Sequence, residues 1–499
     1  MRKGTRHTTK TDPRLAALSI LKGVRVGKVL VDELLQEHLS EIKDPRDRAL
    51  AHELAFGVLR QRSLLDWYLL QNIEGQSLRV PAVVQDILRL GAYQILFCER
   101  IPTYAAVSQT VGLCRETGFS GLCGLVNGIL RSLDRRTRAG VSSTTVEEDS
   151  DPETPAQSLS DLPLPKEDEK PLTIQGAEGI FPEQTEGFVK HVSVRYSLPE
   201  WIIEKLLEVW SPEDVVGFAT ASLEVPPLTI RVHPRILSPS LFAEQCRDSG
   251  IEAEPVSWLP DAFFVRSRIP VSQLPGIEQG GLQVQDLGAQ LTTLLLDPLP
   301  GERILEVGSA PGGKTTHISE RIRPTGRLFA VDNSAHRCEV LQKNLDRIGA
   351  RNVQLIIADG TKPLPLEPDS MDRALVDAPC SGLGTLRRRV DLKWRLQPRD
   401  IVALSETQRA LLASTAEYVK PDGVLVYSTC TILREENEAI VEEFIADHPN
   451  WKVESARAFL PDPMKSAVLP SGGLQTLPHR HGMDGNFGIR LRRTPKSTK

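Results

Sequence analysis

Arg303-Ile-Leu-Glu-Val-Gly308-Ser-Ala-Pro-Gly-Gly-Lys314-Thr-Thr-His-Ile-Ser-Glu-Arg321 decides the fold class of this chain. A short apolar run reads as a strand, a glycine-rich turn follows it, and a helical pattern opens at Thr315. Outward from this stretch the alternation repeats. Further strands are expected at Leu328–Val331, Val353–Ala358, Arg373–Val376 and Val424–Tyr427, with helical patterns at His336–Ile348 and Ile401–Val419. Strands alternating with helices specify an α/β fold with a mainly parallel sheet. In such sheets ligands bind beyond the carboxyl ends of the strands.

The chemically pointed residues fall at those ends. Gly308, Ser309, Ala310, Pro311, Gly312, Gly313 and Lys314 follow the first strand, Asp332 the second and Asp359 the third; Asp377 and Cys380 follow the fourth, and Cys430 the last. A glycine-rich turn lets backbone N–H groups approach a ligand, and the next helix's N-terminus favours a carboxylate. Asp332 lies nineteen residues after Gly313, near the ~20 expected of an acid that binds ribose hydroxyls. A carboxylate at Asp359 could hold an adenine amino group. Each has a bland alternative as packing or a turn, but one adenosine-type ligand accounts for all three.

Gly308-Ser-Ala-Pro-Gly-Gly-Lys-Thr315 also matches the phosphate-cradling loop of NTPases. Against that reading, Pro311 removes a backbone donor, and Asp377 is the one acid placed to hold Mg²⁺. It also leaves the cysteines unexplained. An isolated thiol is usually a buried small hydrophobe. Cys380 in Asp377-Ala-Pro-Cys-Ser-Gly and Cys430 in Tyr427-Ser-Thr-Cys-Thr instead sit in turns at the ligand end. That placement points to covalent chemistry on a substrate that a bound cofactor can reach.

The 499 residues allow roughly three domains at ~150 residues each. Residues 12–136 read as an all-helical domain. Asp12-Pro13 supplies a cap and a first-turn proline, and Val84, Ile87, Leu88, Gly91 and Ile95 form one stripe. Arg100-Ile-Pro-Thr103 breaks the helical run, with Thr103 expected to cap the next helix. Cys98, Cys114 and Cys123 are expected as buried hydrophobes. Residues 137–189, rich in Ser, Pro, Asp and Glu, read as an acidic disordered linker. Residues 190–280 fit a small α+β module: a proline-started helix over Leu198–Trp210, strands at Pro226–Val232 and Ala262–Val265, and a helix over Ser238–Gln245. Residues 281–495 hold the α/β domain.

No apolar run approaches the ~18 residues needed to span a bilayer, and no secretory h-region follows the basic N-terminus. Seven scattered cysteines form no Cys-x-x-Cys pairs, so a cytoplasmic protein with free thiols and no metal site is expected. The net charge of -5 is uneven: Val141–Lys170 carries nine Asp/Glu against two Lys, leaving the remainder at +2. Arg387–Arg389, Lys393/Arg395 and Arg490/Arg492/Arg493 cluster positive charge. The overall charge therefore excludes no nucleic-acid partner.

The glycine motif, Asp377-Ala-Pro-Cys-Ser-Gly-Leu-Gly-Thr385 and Tyr427-Ser-Thr-Cys-Thr-Ile-Leu-Arg-Glu-Glu-Asn-Glu438 resemble the motifs of the NOP2/Sun family of RNA cytosine-5 methyltransferases. Val284-Gln-Asp-Leu-Gly-Ala-Gln290 resembles the segment that introduces their catalytic domain. Leu88-Arg-Leu-Gly-Ala-Tyr-Gln-Ile-Leu-Phe97, Arg100-Ile-Pro-Thr-Tyr-Ala-Ala-Val107 and Val126-Asn-Gly-Ile-Leu-Arg131 resemble the RNA-binding NusB domain. The resemblance covers nearly all of the chain outside the linker. It implies a NusB-like bundle, a small RNA-binding α+β module and a Rossmann-like methyltransferase domain using S-adenosylmethionine.

By the same resemblance the substrate is a cytosine of 16S ribosomal RNA, and the protein acts as a monomer. Transfer RNA and a non-catalytic role in ribosome assembly are the alternatives. Cys430 is implied as the nucleophile that adds to cytosine C6, Cys380 as the residue assisting product release, and Asp377 as the partner of the base's N3/N4 edge. Gly308–Lys314, Asp332, Asp359 and Asp377 are implied to hold the cofactor, and Arg387–Arg389, Lys393 and Arg395 to grip phosphates. The chain departs from the family in three places. Gly308-Ser-Ala310 stands for Cys-Ala-Ala, Arg389-Val390 where His-Pro is common, and Asp484-Gly-Asn-Phe-Gly488 for a more aromatic run.

Overall fold

The computed structural model describes residues 12–27, 31–73, 79–142, 184–267 and 269–495. The chain forms two compact units. One comprises the residues up to Leu223 together with Arg389–Arg395, and the other comprises Glu224–Arg388 and the chain from Leu396 onward. The interior of the expected acidic linker lies outside the described residues. No helix among the described residues is long and apolar enough to cross a membrane.

The first unit is helical: α1 (Pro13–Val26), α2 (Val31–Ser40), α3 (Pro45–Arg60), α4 (Arg62–Gln71), α5 (Ala82–Phe97), α6 (Thr103–Glu116), α7 (Cys123–Ser142), α8 (Gln184–Arg195), α9 (Glu200–Leu207) and α10 (Pro212–Ala221). Asp12 caps α1 by accepting from the Arg14 amide at 2.8 Å, ahead of Pro13. Val84, Ile87, Leu88 and Gly91 face the core, and Ile95 is half-buried at its edge. Thr103 does not cap α6. It is the first helical residue, and Pro102 holds the cap position with no side-chain bond, since the proline already fixes the extended entry. Of the three cysteines here, only Cys114 is buried; Cys98 and Cys123 are half-buried against the same core. The helix expected over Leu198–Trp210 is the shorter α9.

In the second unit β1 (Leu228–Val232), α11 (Pro239–Asp248), β2 (Ala253–Pro255), β3 (Ala262–Val265) and β4 (Leu282–Val284) build a four-stranded antiparallel sheet in the order β2-β3-β1-β4. Then follow α12 (Leu287–Leu296), β5 (Arg303–Val307), α13 (Gly313–Ile322), β6 (Arg327–Asp332), α14 (Ala335–Ile348), β7 (Val353–Ile357) and β8 (Met371–Asp377). After the short α15 (Leu392–Arg395), which belongs to the first unit, come α16 (Pro398–Ala416), β9 (Val419–Thr429), α17 (Glu438–Asp447), β10 (Trp451–Glu454), β11 (Leu474–Gln475), α18 (Pro478–His481) and β12 (Phe487–Arg493).

The large sheet runs β10-β12-β9-β8-β5-β6-β7, with β11 on β12. The five strands β5 to β9 are mutually parallel, as the alternation predicts, while β10, β11 and β12 add antiparallel pairs at one edge. Strand β12 went unpredicted because its Arg490, Arg492 and Arg493 disguise the apolar alternation of Phe487, Ile489 and Leu491, which are buried.

Arg231, buried on β1, fixes the small sheet to α13. Its Nε donates to Gln285 Oε1 at 3.0 Å, Nη1 to Glu320 Oε2 at 2.5 Å and Nη2 to Thr316 Oγ1 at 3.1 Å. All three guanidinium nitrogens are thereby satisfied, which a buried charge requires.

The segment Arg389–Arg395 is part of the helical core. Val390 is fully buried there, Trp394 Nε1 donates to Leu59 O at 2.6 Å, and Lys393 Nζ donates to Arg60 O at 3.1 Å. Burial pushes the Lys393 ammonium down to about 7, with Arg60 adding repulsion. A lowered amine makes the folded state cheaper as pH rises, because the unfolded chain then binds the extra proton. Lys393→Met should therefore raise the thermal midpoint at pH 6, by the equivalent of roughly 1–3 kcal/mol. The advantage should shrink as pH climbs from about 7 toward 10; a constant difference across that range would show that Lys393 is not buried as a charge.

Candidate active site

The turn after β5 is held by backbone contacts that demand its glycines. Gly308 has φ +83°, and a Cβ there would fall 2.1 Å from the Asp377 carbonyl oxygen. Gly312 has φ +105°, where a Cβ would meet Leu341 at 2.4 Å. The turn is thus pressed against the end of β8 on one side and against α14 on the other. Gly308 and Ser309 both donate to Val331 O, and Thr315 Oγ1 donates to Ser309 O at 3.0 Å. The buried Asp332 carboxylate braces the loop by accepting from the Ala310 amide at 3.1 Å and the Ser334 amide at 3.0 Å. The turn delivers the chain to the N-terminus of α13 at Gly313, where unpaired amides favour an anion.

Asp359 ends β7 in the open. Its Oδ1 accepts from the Thr361 amide at 2.9 Å and hydroxyl at 2.7 Å, and these bonds hold its carboxyl below the usual range.

The close approach of Gly308 to Asp377 brings the next residues of the loop onto β8. Lys314 Nζ donates to Asp377 Oδ2 at 2.8 Å. Burial would lower the Lys314 ammonium, but Asp377, and after it Cys430 and Glu306, reverse this and raise it. A firmly charged ammonium therefore stands close to the Cys430 sulfur. Glu306, the last acid of β5, is buried with no hydrogen-bond partner on either carboxyl oxygen among the described residues. Burial pushes it up to about 8, with the Thr315 hydroxyl beside it partly offsetting this and Asp377 adding repulsion.

The two thiols meet. Strands β8 and β9 are parallel neighbours in a register that pairs Asp377 with Ser428. Cys380 and Cys430 leave the same sheet edge together, and their sulfurs lie 3.3 Å apart. The Cys430 amide also donates to Cys380 Sγ at 3.3 Å. The bond to Cys430, and then burial, hold the Cys380 thiol well above its usual range. A thiol raised in this way favours its protonated form beside the Cys430 sulfur.

A buried polar lattice fixes both loops. Glu436 Oε1 accepts from the Ser381 amide at 2.8 Å and from Gln408 Nε2 at 3.0 Å, and its Oε2 accepts from the Ser381 hydroxyl at 2.5 Å. Gln408 also donates to Pro379 O, Tyr427 OH to Glu436 O, and Thr429 Oγ1 to Asn437 Oδ1. The reading of the sequence assigned no role to Glu436, Asn437 or Gln408. The signal for the first two was the run Glu435-Glu-Asn-Glu438 directly after the second cysteine motif; Gln408 lies in α16, with nothing around it to mark it.

The expected phosphate grip is corrected. Arg387 is 3% exposed and paired with Asp484 at 3.0 Å, and Arg388 bonds Asp484, Asp286 and Pro227 O. Lys393 is enclosed in the helical core, and Arg395 bonds Asp391 and Gly27 O. Of this set Arg389 alone is exposed. Arg490 is likewise buried between Glu454 and the Leu295 and Leu296 carbonyls. Spacing in the chain registered the charges but not the carboxylates folded against them. The family departures fall here too: Val390 fills the helical core, and Gly485 abuts Gly384, where a Cβ would sit 2.0 Å from the Gly485 carbonyl oxygen. No group of three or more His, Cys, Asp or Glu among the described residues could hold a metal ion.

A parallel sheet with a glycine turn after its first strand, an acid after its second and reactive groups after its fourth defines an α/β enzyme domain of the nucleotide-cofactor class. Solved structures share the architecture: the crystal structure of PH0851 at TM-score 0.73 and 21% identity, covering 96% of this chain and 99% of that one, and a methyltransferase homolog from Pyrococcus horikoshii at TM-score 0.52 and 24%, covering 61% and 98%.

Residues 293–492 match the family 16S rRNA methyltransferase RsmB/F, residues 11–135 the NusB family, and residues 198–272 the RsmF/B-like ferredoxin-like domain. The probable ribosomal RNA small subunit methyltransferase B of Synechocystis is 32% identical over 93% of this chain and 95% of its own length. Ribosomal RNA small subunit methyltransferase B of Klebsiella pneumoniae is 32% identical over 96% and 97%. The chain belongs to the RsmB/F family of S-adenosylmethionine-dependent 16S rRNA methyltransferases. The NTPase alternative is thereby excluded, and Lys314 is turned to Asp377 within a methyltransferase turn.

The unpartnered Glu306 gives a test of the site's electrostatics. A carboxyl whose folded value is raised from 4.5 to about 8 stabilises the fold below the lower figure and loses that contribution as pH rises through the upper one. Glu306→Gln should flatten this dependence. Its stability should exceed wild type increasingly from pH 5 to pH 8, by up to roughly 4 kcal/mol. Parallel urea midpoints for the two proteins across that range would show that Glu306 does not carry a trapped proton.

Proposed function

We propose that this chain methylates C5 of a cytosine in 16S ribosomal RNA through a covalent bond between Cys430 Sγ and C6 of the base. The observation that carries the reading is the 3.3 Å thiol pair beside the Lys314–Asp377 ion pair. Cytosine C5 is a weak nucleophile, and thiolate addition at C6 converts it into an enamine carbon. When bound, S-adenosylmethionine supplies the electrophilic methyl group.

The site fits that cofactor. The turn amides and the α13 N-terminus suit its carboxylate, the buried Glu306 suits an ammonium, and Asp332 suits ribose hydroxyls. The Lys314 ammonium favours the anionic sulfur before attack. Asp377 Oδ1 has no donor among the described residues, so it can accept from the cytosine amino group while Oδ2 holds Lys314. After methylation the C5 proton passes to water, its electron pair re-forms the C5–C6 double bond, and the C6–S bond breaks to release the Cys430 thiolate. Cys380, still protonated, hydrogen-bonds the departing sulfur and so eases release.

The domains divide this work as residues 12–136 and 190–280 for RNA binding and 281–495 for chemistry. The substrate follows from the names of the relatives rather than from any base-reading contact.

Cys430→Ala should reduce methyl transfer to background and form no protein–RNA adduct on a denaturing gel. Cys380→Ala should accumulate an adduct that is methylated yet not released. Near-normal turnover by Cys430→Ala would sink the mechanism, and a Cys380→Ala protein that cycles without adduct would remove the release role.

A further inference from the structure

The arrangement that suits catalysis also makes the two sulfurs an oxidation site. Their 3.3 Å separation is about 1.3 Å longer than a disulfide bond. The backbones that carry them are tied together: Ala378 donates to Ser428 O at 2.9 Å, and Gly384 to Cys430 O at 3.0 Å. Closing the gap therefore falls to side-chain rotation and not to movement of either loop. Neither sulfur is in a disulfide, and both cysteines are half-buried rather than enclosed. The charged Lys314 supplies the environment that makes a thiolate reactive. The other thiols differ: Cys98, Cys114 and Cys246 are each pushed up to about 11, chiefly by burial, which suppresses their thiolates.

We propose that hydroperoxides convert Cys380 and Cys430 into a reversible disulfide that halts methyl transfer and shields Cys430 from irreversible oxidation. The Cys430 thiolate attacks the outer oxygen of a hydroperoxide, the O–O bond breaks, and the alkoxide leaves and takes up a proton, giving Cys430 sulfenic acid and an alcohol (or water, from hydrogen peroxide). Cys380 sulfur then attacks Cys430 sulfur, the S–O bond breaks, and hydroxide departs with the Cys380 proton as water. Two thiols are oxidised by two electrons and one peroxide is reduced. A dithiol reverses the bond. Formation of the disulfide rests on the placement of the sulfurs and of the Lys314 ammonium, and not on the methylation mechanism; its effect on catalysis rests on the role proposed above for Cys430.

The test treats the full-length protein, freed of reductant, with a small excess of hydrogen peroxide. Alkylation then precedes intact-mass measurement and non-reducing peptide mapping. The expected result is loss of two hydrogens, a linked peptide joining Cys380 to Cys430, and a fall in methyl transfer of roughly tenfold or more that dithiothreitol restores. Cys380→Ser should give no linked peptide, and its Cys430 should instead advance to sulfinic or sulfonic acid that dithiothreitol cannot recover. A link confined to Cys114 and Cys123, or oxygen added to wild-type Cys430 without the Cys380–Cys430 peptide, overturns the proposal. A linked peptide in a protein whose methyl transfer is unchanged would uphold the bond and overturn the switch, returning doubt to the role of Cys430.

Discussion

The parallel pairing of β8 with β9 is the constraint on which the site depends. Parallel neighbours lie ~4.8 Å apart, and the register that sets Asp377 opposite Ser428 starts two loops side by side at one sheet edge. Cys380 and Cys430, fifty residues apart in sequence, then have no other place to go. A slip of one residue would turn every side chain of the strand to the opposite face. The register is secured by burial on both sides, since Leu375, Val376, Val426 and Tyr427 are all enclosed.

Around this pairing the protein places charge where water is scarce. Lys314 and Asp377 neutralise each other at the edge of the pocket. Glu436 accepts from three donors, the Ser381 amide and hydroxyl and the Gln408 amide, while neither oxygen of Glu306 holds a full hydrogen bond among the described residues. Buried polar groups that are fully bonded act as rigid fixtures, and Glu436 serves as one for both cysteine loops. An unbonded carboxyl is costly and marks the part of the pocket not completed by the chain itself.

The alternation of strand and helix, the glycine turn and both cysteine motifs were legible because each is local: a few adjacent residues carry the whole signal. The encounter of Lys314 with Asp377 and the lattice on Glu436 were not, because they join residues tens of positions apart through a register that periodicity does not report. The arginine clusters misled for the same reason. Arg387 and Arg490 look like surface in the sequence, and only the fold reveals Asp484 and Glu454 waiting for them. Strand β12 was hidden by the very arginines whose guanidinium groups are satisfied within the core.

The seven residues Arg389–Arg395, which complete the helical unit from within the later part of the chain, bear on the order of synthesis. Domains fold as they emerge from the ribosome, the N-terminal one first. Here the first unit cannot be finished when its own helices have appeared. Its core still lacks Val390 and Trp394 until the glycine turn, Asp377 and Cys380 have been made. Nor does a single cut in the coding region yield two whole folding units: a fragment ending before Arg389 would lack Val390 and Trp394 in its helical core, and one beginning after the first helices would carry that tryptophan unshielded.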